Sequence, residues 1–137
     1  MKNITNKQLG IALIEFALTL PVILIVTFLI VNAGALFYNQ AVITNAAREG
    51  ARWGSIHTSD CGISPSPCTV ASSYANNRLI SFGATPIVGV TSTESVTSPS
   101  VVTVKVSYSY TGIGFATLNF VGIGTLSPSS TAIMYHE

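Results

Sequence analysis

The sequence predicts an α+β protein, with a long N-terminal helix followed by a small extracytoplasmic domain that holds a short helix and a few-stranded antiparallel sheet. Three observations predict this class. An unbroken apolar run fills residues 16–31, a helical pattern continues to about residue 56, and alternating β-branched residues come only near the C-terminus. The composition agrees, because 8% charged residues is far below the roughly 25% of soluble domains.

Residues 13–31 are predicted to cross a bilayer as one helix. Twelve Leu, Ile, Val or Phe residues lie between Phe16 and Val31. They contribute on the order of −4 to −7 kcal/mol to insertion, whereas one acid at the helix centre costs roughly 2.5 to 3.5 kcal/mol, and Glu15 lies near the edge. The length is close to the ~20 residues that a spanning helix needs, and Pro21 is tolerated there with a kink.

The flanking charges predict the orientation. Lys2 and Lys7 are the only charges before the span. The positive-inside rule therefore predicts a single-pass protein of the inner (cytoplasmic) membrane, with its N-terminus in the cytoplasm and the chain from about Ser55 outside. The net charge of +1 gives no reason to expect a nucleic-acid partner.

A glycine followed five residues later by the single acid of the apolar run predicts a type IV prepilin-like processing site. We expect residues 1–10 to be a leader without structure of its own, with cleavage between Gly10 and Ile11. Cleavage exposes a protonated amine on Ile11, and Glu15 then lies about one turn away, where it can pair with the amine of a neighbouring subunit. The alternative is that Glu15 only extends to the membrane interface.

The helix is predicted to continue to about Ile56 and to carry a stripe of small residues. Ala46, Gly50 and Gly54 are spaced by four. Such spacing forms a groove in which another helix can approach closely. The sequence leaves two occupants open, a helix of another subunit or the chain's own C-terminal domain.

Residues 55–68 are predicted to form a loop closed by a disulfide between Cys61 and Cys68, because the two cysteines enclose a turn-rich segment. A loop of about 8 residues gives on the order of 2.5 kcal/mol in the chain-entropy model. Two free thiols are the alternative. We do not expect a metal site, since His57 and Asp60 are near but fit no common zinc spacing.

The rest of the chain predicts one helix and three strands. The helix covers residues 69–82, with Val70, Tyr74 and Leu79 on one face and Gly83 as its stop. The strands are predicted at residues 87–90, 101–110 and 131–135, with a Ser/Thr-rich loop at 91–100 and a covering loop or short strand at 111–124. In the second strand, one face is predicted to hold Val102, Val104, Val106, Tyr108 and Tyr110. The predicted domains are 1–10, 11–57 and 58–137.

Several of these segments together resemble TadE-like proteins, which are pilin-like components of the tight-adherence (Flp) pilus. The resemblance rests on Gly10 with Glu15 and Phe16, the apolar helix, the segment Ala46–Arg52 and the ending Thr131–Glu137. It is specific to about residue 54, and residues 55–100 are not diagnostic. It implies cleavage by a dedicated aspartyl prepilin peptidase. It also implies a minor-pilin or pseudopilin role in adhesion and biofilm formation, with other pilin-like subunits and the tight-adherence secretion machinery as partners.

Three other functions compete with this interpretation. Cleavage after Ala35, within a small-x-small pattern, would release a secreted soluble protein, although the apolar region is longer than a signal peptide needs. A generic membrane-anchored domain without a pilus role is the second. An enzyme is the third, but His57, His136, Asp60 and Glu94 show no catalytic spacing. We therefore expect no catalytic residue, cofactor or small-molecule substrate.

Overall fold

The computed structural model of the chain describes residues 4–57, 59–82, 85–95, 99–110 and 126–136. The chain divides into two compact units, Met1–Gly34 and Ala35–Glu137. The described residues contain a long apolar helix, a short helix and a three-stranded antiparallel sheet, which confirms the predicted α+β class. The predicted loop or strand at 111–124 and the stop at Gly83 lie outside the described residues, as does Lys2.

The first element is α1, Ile4–Ile56, with Pro21 inside it. Its end agrees with the prediction, but its beginning does not. Residues 4–10 are helical, so the expectation that this segment lacks structure of its own is wrong. The segment before Gly10 has no proline or other residue that would stop a helix entering the apolar run, and the helix extends back through it.

The second helix, α2, covers Pro67–Asn76 and begins with a capping box. The Ser66 hydroxyl accepts a hydrogen bond from the Thr69 backbone N–H at 3.1 Å, and the Thr69 hydroxyl accepts one from the Ser66 N–H at 2.8 Å. Pro67 takes the first helical position, where its missing N–H costs nothing. The prediction of a helix over 69–82 therefore starts two residues late, and it runs six residues beyond the observed end at Asn76.

The sheet has the order β1-β2-β3, with strands Val88–Ser95, Val101–Tyr108 and Ser129–Tyr135. Both neighbouring pairs are antiparallel. The predicted loop at 91–100 is wrong for residues 91–95, which continue β1 and pair with the first half of β2. Threonine and serine suit an exposed edge strand, so a Ser/Thr-rich segment is compatible with either structure.

The core of the second unit lies between the sheet and the two helices. The side chains of Val102, Val104, Val106 and Tyr108 are at most 2% exposed, and Tyr110 is 3% exposed, which confirms the predicted face of the central strand. The helices face it with small residues. The buried ones are Ala35, Ala46, Ala47, Ala51, Ala71 and Ala75. Alanine in these positions lets the backbones of the helices and the sheet approach closely.

Candidate functional site

The first unit presents an apolar helical surface. Every residue from Gly10 to Val31 is exposed. Among the described residues, α1 is the one helix long and apolar enough to cross a membrane, with a mean hydropathy of 2.6 in its most apolar stretch. Leaving so many large apolar side chains in water is unfavourable, because each one loses about 1.5–3 kcal/mol when it is not buried. This surface therefore fits a single-pass membrane anchor.

Three polar side chains of this unit bond to the backbone of their own helix. The Thr19 hydroxyl donates to the Phe16 carbonyl at 3.1 Å, and the Thr27 hydroxyl donates to the Ile23 carbonyl at 2.8 Å. Asn32 donates through Nδ2 to the Phe28 carbonyl, also at 2.8 Å. Bonds of this kind, from a side chain to a carbonyl of the preceding turn, satisfy polar groups within the helix, as an apolar solvent requires.

The predicted processing and assembly residues lie close together on α1. Gly10 and Ile11 are in the helix and exposed, and a Cβ on Gly10 would meet no atom within 4 Å. Phe16 is exposed, and Glu15 has no ion pair or hydrogen-bond partner among the described residues. The structure thus places a carboxylate on an apolar surface with its charge uncompensated within the described chain.

The small-residue stripe lies in the second unit and is covered by the chain's own α2 and β2. A Cβ on Gly50 would lie 2.9 Å from the Ala71 Cβ and 2.9 Å from the Pro67 carbonyl oxygen. A Cβ on Gly54 would lie 3.0 Å from Val102 Cγ1, and Ala46 is fully buried. Of the two occupants that the sequence left open, the structure has the chain's own domain at Gly50 and Gly54.

The disulfide between Cys61 and Cys68 is present, as predicted, with 5.4 Å between the two Cα atoms. Cys68 is in the first turn of α2, directly after Pro67. The disulfide therefore ties the loop that leaves α1 to the beginning of the second helix.

The histidine and acids considered for chemistry have local structural contacts. The His57 ring stacks on Trp53 with 4.4 Å between ring centroids, and Nδ1 lies 3.2 Å from the Trp53 carbonyl oxygen. The Asp60 carboxylate accepts the Gly62 N–H at 2.8 Å, and the Ser59 hydroxyl donates to Glu94. Among the described residues, no three His, Cys, Asp or Glu side chains are grouped so that they could hold a metal ion.

Two buried polar groups, the Asn39 amide and the Tyr108 hydroxyl, have no role predicted from the sequence. Asn39 is fully buried and bonds the backbone of Ile80, and Tyr108 is buried with its hydroxyl beside Asn39. Burial raises the pKa of the Tyr108 hydroxyl above its ordinary value, while the nearby Asn39 lowers the pKa by less. The only signal for Asn39 is its position at helical spacing from Ile43 and Ala46, which places a polar side chain on the apolar face.

Comparison with known proteins gives one match. Residues 10–52 match the family described as TadE-like protein. Searches of curated proteins and of solved structures found no match. The matched segment contains Gly10, Glu15 and the small-residue stripe as far as Gly50. The match confirms the resemblance indicated by the sequence, since residues 10–52 of this chain are similar to the TadE-like family.

Proposed function

We propose that this protein is a minor pilin or pseudopilin of a tight-adherence pilus, processed after Gly10 and used in surface adhesion and biofilm formation. The observation that carries the proposal is the TadE-like segment, which includes an exposed apolar helix fit to anchor a protein in a membrane. In general terms this segment supports a pilin-like protein associated with such a pilus, with other pilus subunits as partners.

In the proposed mechanism, a prepilin peptidase in the inner membrane cleaves the bond between Gly10 and Ile11. The new amine of Ile11 is then protonated at neutral pH, and Glu15 lies four residues further along the helix. A lone carboxylate is costly in an apolar environment. The Glu15 carboxylate is therefore stabilised when a positive charge from another chain approaches it, in addition to the Ile11 amine of its own chain. The amine of an adjacent subunit supplies that charge, and the C-terminal unit stays outside the cytoplasm.

Two features of the described chain support this mechanism. A Cβ built on Gly10 would meet no atom within 4 Å, so no other part of the described chain packs against that position. Glu15 has no partner of its own among the described residues, so it is available to another subunit. The rival interpretation, cleavage after Ala35, would cut α1 beside a core residue that is 7% exposed.

The first test is the mass of the mature N-terminus, measured on protein from membranes and from sheared pili. We expect a chain that begins at Ile11. A chain that begins at Leu36 would establish the secreted protein instead, and an intact chain in both fractions would overturn processing after Gly10.

The second test addresses Glu15 with two variants. Glu15→Gln keeps the size of the side chain but removes the charge, and Glu15→Asp keeps the charge. We expect both variants to insert into the membrane. Glu15→Gln is expected to be depleted from sheared pili or to reduce the number of pili, and Glu15→Asp is expected to retain more pili than Glu15→Gln. Glu49→Gln, which changes an acid in the second unit, is the control. Pili that are normal in number and composition in Glu15→Gln would refute the proposed role.

A further inference from the structure

The third strand leaves one row of backbone groups facing away from the sheet. The Tyr108 N–H donates to the Pro128 carbonyl at 3.2 Å, and the His136 N–H donates to the Ser100 carbonyl at 3.0 Å. In an antiparallel ladder, residues alternate between facing the partner strand and facing away from it. Even-numbered residues of β3 therefore bond to β2. The open edge of β3 is formed by the N–H and C=O groups of residues 129, 131, 133 and 135.

This open edge has almost no partner in the described chain. The Gln40 side chain donates to the Ser129 carbonyl over a long 3.4 Å, and no other hydrogen bond to Thr131, Ile133 or Tyr135 lies outside the ladder with β2. The opposite edge of the sheet is different. There the Cys68 sulfur lies 3.8 Å from the Val90 carbonyl oxygen, so the disulfide contacts the edge of β1 at that residue.

The open edge also lacks the features that usually protect edge strands. Such strands carry charged residues or proline, or are covered by other elements. The strand Ser129–Tyr135 contains neither a charged residue nor a proline, and Ile133 and Tyr135 are 64% and 69% exposed. An uncharged edge of seven residues without a proline is a template for a further strand.

A groove of about 400 Å³ lies beside this edge, between the end of α1 and the end of β3. It is lined by Arg52, Ser55, Ile56, Ile133, Met134 and Tyr135. Its lining combines the polar residues Arg52 and Ser55 with apolar residues such as Ile56 and Met134. A strand that pairs with β3 would have alternate side chains on the α1 side of the sheet, and one of them can fill this groove.

The same side of α1 carries a positive charge without a partner. At 100° per residue, Arg48 lies between Ser55 and Arg52 around the helix axis, and both of these line the groove. Arg52 pairs with Glu49 at 2.9 Å, whereas Arg48 is exposed and has no ion pair or hydrogen bond among the described residues. The partner that best complements this surface therefore carries a carboxylate.

We propose that the open edge of β3 and the adjacent groove bind an extended, acidic segment of a different polypeptide as a fourth strand. Its backbone pairs with the groups at residues 131, 133 and 135, an apolar side chain enters the groove, and a carboxylate pairs with Arg48. A second copy of this chain fits less well. Its β3 has no acid to offer to Arg48. This inference does not depend on the pilus role.

The test uses the full chain in detergent micelles and a fluorescent heptapeptide that alternates valine and threonine around one central glutamate. Binding is followed by fluorescence anisotropy, with a matched peptide that has lysine in place of glutamate. We expect the acidic peptide to bind at least several-fold more tightly than the basic one, and Arg48→Gln to remove that difference. Equal binding of the two peptides would overturn the charge assignment.

The backbone pairing is tested at one position. Ile133→Pro removes an N–H that faces away from β2, so the ladder stays intact, and proline is tolerated on edge strands. Ile133→Thr keeps the N–H and is the matched control. We expect the proline variant to lose binding and the threonine variant to keep it. Binding that survives in a folded proline variant would overturn the proposal.

Two measurements on the unaltered chain keep the proposal testable if the proline variant does not fold. The amides of Thr131, Ile133 and Tyr135 are expected to exchange with solvent more slowly once the acidic peptide is bound. Unchanged exchange would refute strand addition. A peptide with the sequence of residues 129–135, together with sedimentation of the chain, tests the second copy. If that peptide binds more tightly than the acidic peptide and the chain sediments as a dimer, the proposal is overturned and the partner is a second copy of this chain.

Discussion

The Asn39 side chain and the Ile80 backbone form a pair of hydrogen bonds that joins α1 to the segment after α2. Asn39 Nδ2 donates to the Ile80 carbonyl at 2.7 Å, and the Ile80 N–H donates to Asn39 Oδ1 at 2.9 Å. Asn39 is fully buried. The Asn39 amide thus takes the place of a backbone partner for a segment that lies beyond the end of α2. It satisfies both the N–H and the C=O of Ile80, and its own buried amide is satisfied in return.

Replacing this amide is expected to destabilise the second unit. Asn39→Leu keeps a similar volume but leaves both Ile80 backbone groups without their partner, which costs about 1–3 kcal/mol. The free energy of unfolding can be measured by denaturant titration in detergent micelles, with the fluorescence of Trp53, the single tryptophan, as the signal. Gln40→Leu is the matched control, because the Gln40 bond to Ser129 is long and exposed. An equal loss in both variants would contradict the role assigned to Asn39.

The close approach at Gly50 gives a second prediction. Alanine in a helix is favoured over glycine by about 1 kcal/mol, but a Cβ here lies 2.9 Å from two atoms, and overpacking costs about 1–3 kcal/mol. Since one of these atoms is the Pro67 carbonyl oxygen, which is backbone and cannot rotate away, we expect Gly50→Ala to lower the free energy of unfolding by roughly 1 kcal/mol net.

Two further variants check the cause of that loss. Gly34→Ala has space around the new methyl group, with nothing within 4 Å, and is expected to cause no loss. Ala71→Gly in the Gly50→Ala background removes one of the two close contacts, so it is expected to restore the contact energy only in part. Full stability of Gly50→Ala alone would show that α2 can move away from α1.

The sequence predicted the elements whose patterns are long and regular. The end of α1 at Ile56 and the buried face of β2 follow from periodicity and match the structure. The beginning of α2 was missed because a capping box at Ser66 and Thr69 decides it, and the signal of this box is weaker when a threonine replaces the usual Glu or Gln. The extension of β1 was missed because serine and threonine suit both loops and edge strands.

The candidate surfaces also fall into two groups, those with a local sequence signal and those that depend on contacts between distant residues. Gly10, Glu15 and the small-residue stripe carry local sequence signals, although the spacing of the stripe does not identify the element that packs on it. The open edge of β3 depends on which strand lies beside which, and the role of Asn39 depends on a contact between residues 41 positions apart. Such non-local pairings are not encoded in any short pattern, so one sequence alone does not reveal them.

Removal of the disulfide by substitution gives a third prediction. Cys61 and Cys68 close a loop of about 8 residues, for which the chain-entropy model gives about 2.5 kcal/mol. We expect the double variant Cys61→Ser, Cys68→Ser to lose about that amount, measured by denaturant titration as above. The loop lies against β1 at Val90, so amide exchange in β1 is expected to rise more than in β3. Equal increases in both strands would indicate a general loss of stability without a local effect.

The fourth prediction concerns alkaline pH. Burial raises the pKa of the Tyr108 hydroxyl and also that of Tyr110. In the unfolded chain a tyrosine loses its proton near pH 10, whereas in the folded chain it keeps the proton to higher pH. At a pH between the tyrosine pKa of the unfolded chain and the raised pKa of the folded chain, the unfolded state binds fewer protons than the folded state. The free energy of unfolding therefore falls as the pH rises, by up to about 1.4 kcal/mol per pH unit for each tyrosine.

Tyr108→Phe is expected to reduce this alkaline loss and to cost little at neutral pH. The Tyr108 hydroxyl is buried without a partner of hydrogen-bond geometry among the described residues, and removing an unsatisfied buried hydroxyl is nearly neutral or stabilising. The measurement is the free energy of unfolding between pH 7 and about pH 11. Tyr135→Phe is the control, because the Tyr135 side chain is 69% exposed. A steep alkaline loss that persists unchanged in Tyr108→Phe would assign the effect to another group, with Tyr110 as the next residue to replace.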